Sequence, residues 1–453
     1  MTAARRYRRG GRRPVTGSDA LGLLGRAARG PRIWLVAAAA LGLSGGRFRR
    51  RAALRGMMAA GLASGLVRVV GARRPQPSWF PSGPAAAGFA FAAGAGQEVA
   101  ALAPPLVAVA ALAGYARVRA GAHDRSGTVA GAAVGAGTAV LTRRFWPVAP
   151  HEPAQVRTAL EPSDVAPSPT GAGLVVVVNP SAGSSGRAAE ELRTELPDAE
   201  VIELEEGDDL LAALDDAAAR GCAVGVAGGD GSVNAAAAVA ARAGVPLMVV
   251  PGGTLNHFAF ALGVQSIADA SQAVRDGRAV LVDRAVIDGH TFVNTASIGS
   301  YVDLVDAREQ MEDRIGKWPA VVVALARVLR TARPVDLELD GVHRRVWMVF
   351  IGNCRYHPSG FAPSWRERLD DGLLDIRIVD GTRPWSRLRL LASVLTGRLA
   401  RCGAYEQRHV RSVHVKSLEG PLRLARDGET FEGPEEFTIA KADDPLRVFV
   451  AQP

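Results

Sequence analysis

Apolar residues in this chain follow three patterns, and each predicts a different architecture. Between residues 174 and 263 they form unbroken runs, LVVVV from Leu174, AVGVAG from Ala223 and PLMVVP from Pro246, each closed by a glycine-containing or proline-containing turn and followed by a helical stretch. Strands buried on both faces read this way, so the pattern predicts a parallel sheet covered by helices. From residue 285 onward, segments rich in β-formers flank Asp288-Gly289 and Asp340-Gly341. Asp-Gly between such segments signals a two-residue hairpin, so a second, antiparallel domain is expected. Ahead of both lie five short Ala/Gly-rich runs, 33–43, 52–70, 84–96, 99–118 and 128–141, which predict helices.

A spanning helix needs about 20 mostly apolar residues. Only 52–70 and 99–118 come near that length; the first carries Arg55 and Arg68, and Pro104-Pro105 is expected to kink the second. Small residues suit close contacts between membrane helices, and arginines at the ends of runs suit a positive-inside arrangement. The expectation is a helical, membrane-embedded region over 17–150, with a soluble Ala-rich domain as the alternative. Charge supports this division: of 54 basic residues the first 150 positions hold 22, all arginine, against three acids, Asp19, Glu98 and Asp124. Arginines set among Ala, Gly, Leu and Val, without aromatics to stack on bases, favour anionic lipid over nucleic acid.

The tail 1–16 is basic and expected to be disordered; no apolar segment with a cleavage site follows it at once, so it does not read as a cleaved signal. Residues 151–170 contain Pro153, Pro162, Pro167 and Pro169 without apolar periodicity, which predicts a semi-stiff linker. Cys222, Cys354 and Cys402 have no spacing that suggests a disulfide framework or a zinc site, and they suit a reducing cytosol.

Candidate chemistry sits in the turns after the three buried runs: Asn179-Pro180-Ser181-Ala182-Gly183, Gly228-Gly229-Asp230-Gly231-Ser232, and Pro251-Gly252-Gly253-Thr254 with Asn256. In an open α/β sheet the carboxyl ends of the strands share one crevice. Glycine amides and helix N-termini there solvate phosphate without lysine, and none of these turns contains one. A P-loop is excluded because no G-x-x-x-x-G-K-[ST] occurs. Asp230, an acid among such amides, makes electrostatic sense beside a metal or a protonated hydroxyl. Taken alone, Gly-Gly-Asp-Gly is also an ordinary tight turn with an acidic cap.

Together with 369–375, LDDGLLD, and with Arg426-Asp427-Gly428-Glu429, the three turns resemble the diacylglycerol kinase catalytic domain family, which includes the sphingosine kinases. The resemblance covers roughly residues 173–450. It implies an α/β nucleotide-binding domain over 171–284, an antiparallel β-sandwich lipid-binding domain over 285–453, and an active site in the cleft between them. It implies ATP and Mg²⁺ as cofactors, with Asn179, Pro180, Ser181, Gly183, Gly228, Gly229, Asp230, Gly231, Ser232, Gly253, Thr254 and Asn256 around the nucleotide. Asp230, Asp427 and Glu429 are the implied catalytic acids; whether Asp427 or Glu429 is the base stays open. Asp371, with the carbonyls of Arg368 and Leu373, resembles a structural magnesium site, although Asp370-Asp371-Gly372 also reads as a hairpin turn. Ser232 replaces a usual threonine, and Ala235 and His257 stand where many relatives carry glutamate and aspartate.

A second resemblance lies ahead of the linker. Arg74-Pro75, then 80–84, FPSGP, then Arg117 and His123 are similar to the type 2 phosphatidic acid phosphatases. Pro84 replaces the acid histidine and Gly127 the orienting carboxylate, so a degenerate, inactive anchor is expected. The reading as a whole is an ATP- and Mg²⁺-dependent kinase for the hydroxyl of diacylglycerol or a similar long-chain lipid. It places the protein at the cell membrane with the kinase domain facing the cytoplasm, with a lipid substrate, no nucleic-acid partner, and a homodimer left open. A membrane-anchored lipid-binding pseudoenzyme and a NAD kinase-like enzyme are the alternatives.

Overall fold

The computed structural model describes residues 32–44, 46–72, 79–121, 124–156, 167–180, 185–253, 256–300, 302, 333–359, 363–382, 386–396 and 398–450. Two compact units share the chain, Met1–Ala149 and Pro150–Pro453.

In the first unit, helices Arg32–Leu43, Arg47–Gly71, Gly83–Glu98, Ala103–Arg119 and Arg125–Thr142 follow the five apolar runs. Pro104 and Pro105 do not kink a helix as expected. They lie in the first turn of Ala103–Arg119, after the 3₁₀ turn Ala100–Leu102, where the missing N–H costs nothing. Small residues bring backbones into contact: a Cβ on Gly135 would lie 2.3 Å from the Ala86 carbonyl oxygen, and one on Gly131 2.5 Å from that of Ser82. Arg55, which counted against a spanning helix in the sequence, is fully buried and donates to the equally buried Glu98 at 2.6 Å. Arg51 reaches the same carboxylate at 2.9 Å, and both guanidinium groups donate to the Pro147 carbonyl. A buried charge persists when it is paired and hydrogen-bonded in this way. Arg47–Gly71 and Ala100–Arg119 are long and apolar enough to cross a membrane, by length and composition.

The second unit starts as an α/β layer. Strands β1 (Leu174–Val178), β2 (Glu200–Glu203), β3 (Ala223–Gly228) and β4 (Leu247–Pro251) run parallel in the order β2-β1-β3-β4. Every residue of β1 and β3 is buried, as their unbroken apolar runs require. Beyond β4 comes the last strand of the chain, Leu446–Phe449, and then β5 (Ala279–Val282), antiparallel to it. The domain expected over 285–453 therefore gives its end back to the α/β sheet, where Leu446, Val448 and Phe449 complete the core around Leu247 and Val249.

Among the described residues an 11-stranded sheet, antiparallel in its pairings, and a separate pair of short strands, Tyr356–His357 with Trp365–Arg366, form the rest. The hairpins at Asp288-Gly289 and Asp340-Gly341 are present, with φ of 48° and 79° in the first and 52° and 76° in the second. Positive φ at both turn residues matches the strand twist, which is why Asp-Gly serves there. A third hairpin of this kind joins Leu422–Arg426 to Glu429–Gly433 through Asp427 (φ 44°) and Gly428 (φ 93°). The sequence also reads as helical over 303–330, a segment that lies outside the described residues.

Candidate active site

Three chain segments build the floor of one cleft. The turn after β3 brings Gly229 against the turn after β4: a Cβ on Gly253 would lie 2.6 Å from the Gly229 Cα, so only glycine permits this approach. Asn256, held at φ 49°, closes the second turn by accepting from the Gly253 N–H at 2.8 Å and donating to its carbonyl at 2.7 Å. Asn179, just past β1, donates to Ser232 Oγ at 2.8 Å and ties the first turn to the helix Asp230–Ala243. Asn179, Gly229, Gly231, Ser232 and Gly253 thus line a single cleft of about 830 Å³. Pro180 borders an adjoining hollow with 204–208 and Leu210. Ser181, Gly183 and Thr254 lie outside the described residues, as do Arg74 and His123. Arg117 lies in the last turn of Ala103–Arg119, in the amino-terminal unit.

The helix Asp230–Ala243 points its N-terminus into the cleft, and its first residue carries an unsatisfied acceptor: Asp230 Oδ1 is buried without a hydrogen-bond partner. One turn on, Asn234 is 3% exposed, borders the cleft, and has Oδ1 in the same condition. Two buried orphan acceptors beside amides that favour anions fit a bound cation together with phosphate.

The two carboxylates of the Asp-Gly-Glu turn have separate surroundings. Asp427 is buried, and its oxygens accept from the backbone N–H groups of Val293, Asn294 and Thr295 at 2.9, 3.0 and 2.8 Å. Its own N–H donates back to the Thr295 carbonyl. The left-handed turn conformation aims this side chain at the neighbouring strand, so Asp427 clamps the segment entering Thr295–Gly299. Glu429 is exposed, lines the cleft, and makes no hydrogen bond or ion pair with any described residue. Its Oε1 lies 2.4 Å from where a Cβ on Gly231 would be, over the start of the helix.

Burial pushes the Asp427 carboxyl up to about 6, with a further push from the Asp230 charge, against the pull of the three N–H donors. A carboxyl raised in the folded state stabilises the fold below its unfolded value near 3.8, and that contribution is lost as pH rises through about 6. Between pH 4 and 7 the Asp427→Asn variant is expected to lack this fall of about 3 kcal/mol. Urea unfolding of both proteins across that range measures it, and parallel curves would refute the assignment.

Two of the three groups expected to hold a second, structural ion, Asp371 and the Leu373 carbonyl, are engaged by the protein's own groups. Asp371 accepts from Arg355 N and Nε at 3.0 and 3.1 Å and from Leu373 N at 3.0 Å, while the Leu373 carbonyl accepts the Cys354 N–H. Ligand atoms of Asp371, Asp283 and Cys354 do come within 4.8 Å of one another. The Lys441 ammonium lies there too, 2.9 Å from Asp283 Oδ2 and 3.4 Å from Cys354 Sγ. Arg355 and Lys441 already balance the two carboxylates, so this cluster does not fit the oxygen-only ion site expected from the sequence.

Apart from Arg426, which belongs to the Asp-Gly-Glu segment, the sequence did not point to the far wall. Arg284, His290, Thr291, Arg426 and Asp444 reach the cleft from the β-sheet domain. Arg366, buried, donates to the Val293 carbonyl at 2.6 Å and to Asn294 Oδ1 at 2.9 Å, and so braces the segment that Asp427 clamps. The only local signal was arginine within apolar strand sequence.

Comparison with known proteins places the second unit in a family. A family model described as the diacylglycerol kinase catalytic domain matches residues 173–287, and one described as the YegS C-terminal NAD kinase beta sandwich-like domain matches 299–448. A Pseudomonas aeruginosa (strain UCBPP-PA14) protein named "Probable lipid kinase YegS-like" is 30% identical over 232 residues, 49% of this chain and 74% of the relative. This chain belongs to the YegS-like lipid kinase family. Another similar protein is the "Diacylglycerol kinase" of Mycobacterium tuberculosis (strain H37Rv), 29% identical over 231 residues, 48% of this chain and 75% of that one. An uncharacterized Synechocystis protein, sll0036, is 24% identical over 212 residues, and the match spans 45% of this chain and 49% of that protein. A crystal structure titled as a diacylglycerol kinase from Bacillus anthracis aligns with 61% of this chain and 96% of its own length, at 21% identity and a TM-score of 0.44. For a YegS-like kinase, the matched regions leave the amino-terminal helical unit, 1–149, outside the shared part.

Proposed function

We propose that this protein transfers the γ-phosphoryl group of ATP to the hydroxyl of diacylglycerol or a similar long-chain lipid. The observation that carries the reading is Glu429, a carboxylate without a side-chain partner among the described residues, set in the cleft over Gly231 at the start of Asp230–Ala243, the helix whose first residue carries the orphaned Asp230 Oδ1. The glycine turns bind phosphate through backbone amides, and Asn179 with Ser232 fixes the spacing between two of them. Asp230 would hold Mg²⁺, which when bound supplies neutralisation of the phosphate charge. Glu429 accepts the proton of the lipid hydroxyl as its oxygen attacks phosphorus. Asp427 holds the segment 293–295 and takes no part in proton transfer. Names of the relatives support the lipid acceptor.

The amino-terminal unit we assign to membrane attachment, in support of which stand its two long apolar helices and its arginines. A degenerate phosphatase-like role agrees with Pro84 in the first turn of Gly83–Glu98, and with Gly127, whose carbonyl accepts the Ser82 N–H.

The test is transfer from labelled ATP to a panel of lipids in mixed micelles, with NAD as a control acceptor. Wild type is expected to label one lipid class, and Asp230→Ala to lose at least about 10²-fold in kcat. Labelling of NAD alone, or an Asp230→Ala variant as active as wild type, would overturn the reading.

A further inference from the structure

A phosphate site without lysine leaves open what meets the charge of the transferred group from above. Three arginines border the cleft, Arg242, Arg284 and Arg426. Arg242 is paired with Asp215, and Arg284 is paired with Asp444 and donates to Thr291 Oγ1. Arg426 has no acidic partner among the described residues. Its Nη1 donates to the Thr291 carbonyl at 2.9 Å, and its guanidinium lies 5.4 Å over the Phe431 ring, itself packed against His290. One carbonyl and one ring use a single N–H and a face, which leaves the remaining donors of a planar, five-donor fork. Arg426 pairs in register with Glu429 across the Asp427-Gly428 turn, so the two side chains stand at the same level of the hairpin.

We propose that Arg426 is the phosphate clamp of this cleft, binding the non-bridging oxygens of the terminal phosphoryl group of a nucleoside triphosphate opposite the glycine turns. This rests on the kinase reading given above. In the transfer, the lipid oxygen bonds to the terminal phosphorus and the bond to the bridging oxygen breaks. The diphosphate leaves with the electron pair, Glu429 takes the hydroxyl proton, and Arg426 stays protonated throughout. Its fixed charge stabilises the equatorial oxygens where negative charge is spread during transfer. Base and clamp belong to one hairpin, so the acceptor of the proton and the holder of the phosphoryl group keep a fixed spacing.

The test uses the full chain in detergent micelles and measures ATP, ADP and AMP affinity by calorimetry for wild type, Arg426→Gln and Arg426→Lys, with the thermal midpoint of each. Arg426→Gln is expected to weaken ATP binding by roughly 10–100-fold and leave AMP binding unchanged. Arg426→Lys keeps the charge but not the fork, and is expected to restore part of the ATP affinity and of kcat. ATP binding unaltered in Arg426→Gln, or ATP and AMP affinity lost together in both variants, would overturn the clamp. Wild-type protein that binds no nucleotide would instead overturn the kinase reading.

Discussion

Glu429→Gln is expected to lower kcat for lipid phosphorylation by about 10²–10⁴-fold, the usual contribution of a positioned general base. Glutamine keeps the shape and loses the ability to take a proton. Glu429 is exposed and makes no polar contact with the described residues, so the substitution leaves the fold unperturbed, and the thermal midpoint should not change. ATP binding should survive as well, because in the proposed reading the glycine turns and Asn179, which line the cleft opposite Glu429's hairpin, carry the phosphate contacts. Steady-state kinetics with calorimetric ATP affinity separates the two effects. A variant with wild-type kcat would show that Glu429 is not the proton acceptor. Asp427 behaves differently because both of its oxygens are already committed to backbone N–H groups. Its replacement unpairs buried donors and acts first on stability.

The largest stability effect is expected at Lys441. Its side chain is 3% exposed and its ammonium meets Asp283 at 2.9 Å, Asn353 Oδ1, and the Cys354 sulfur. Burial pushes the Cys354 thiol up to about 12, so the sulfur keeps its proton and adds no second negative charge. Asp283 follows β5 and precedes the first strand of the antiparallel sheet, Ala285–Ile287, while Lys441 ends Glu436–Lys441. The pair therefore fastens the crossing between the two lobes. Lys441→Met preserves the volume and leaves Asp283 without its counter-charge, at a cost of about 3–5 kcal/mol. Pairing it with Asp283→Asn should recover part of the loss. Equilibrium denaturation measures both, and a loss under about 1 kcal/mol for the single variant would place this pair with solvent-screened surface bridges.

Much of the framework around the candidate site is legible because its signals are local. A run of five valines and leucines closed by turn residues reads as a doubly covered strand, and an Asp-Gly step between two β-forming segments reads as a hairpin with φ > 0. Pro104-Pro105 was misread as a kink because a proline pair looks alike inside a helix and at its start. Arg55 counts against a spanning helix in the sequence alone, and the structure gives it a buried counter-charge in Glu98, at the end of Gly83–Glu98.

The sequence by itself determined the three glycine and proline turns, the acids near them and the family, because glycine conformation, strand burial and hairpin geometry are set within a few residues. Only the tertiary structure decided which acid faces the cleft. Asp427 and Glu429 are two residues apart, and alternation across a hairpin cannot say which face the rest of the chain will cover. Asp427 finds its donors at 293–295, more than 130 positions earlier, and Lys441 finds Asp283 across a similar gap. Leu446–Phe449 likewise joins a sheet whose other strands lie far before it. Such contacts depend on how the strands order in space, and no local pattern encodes that order.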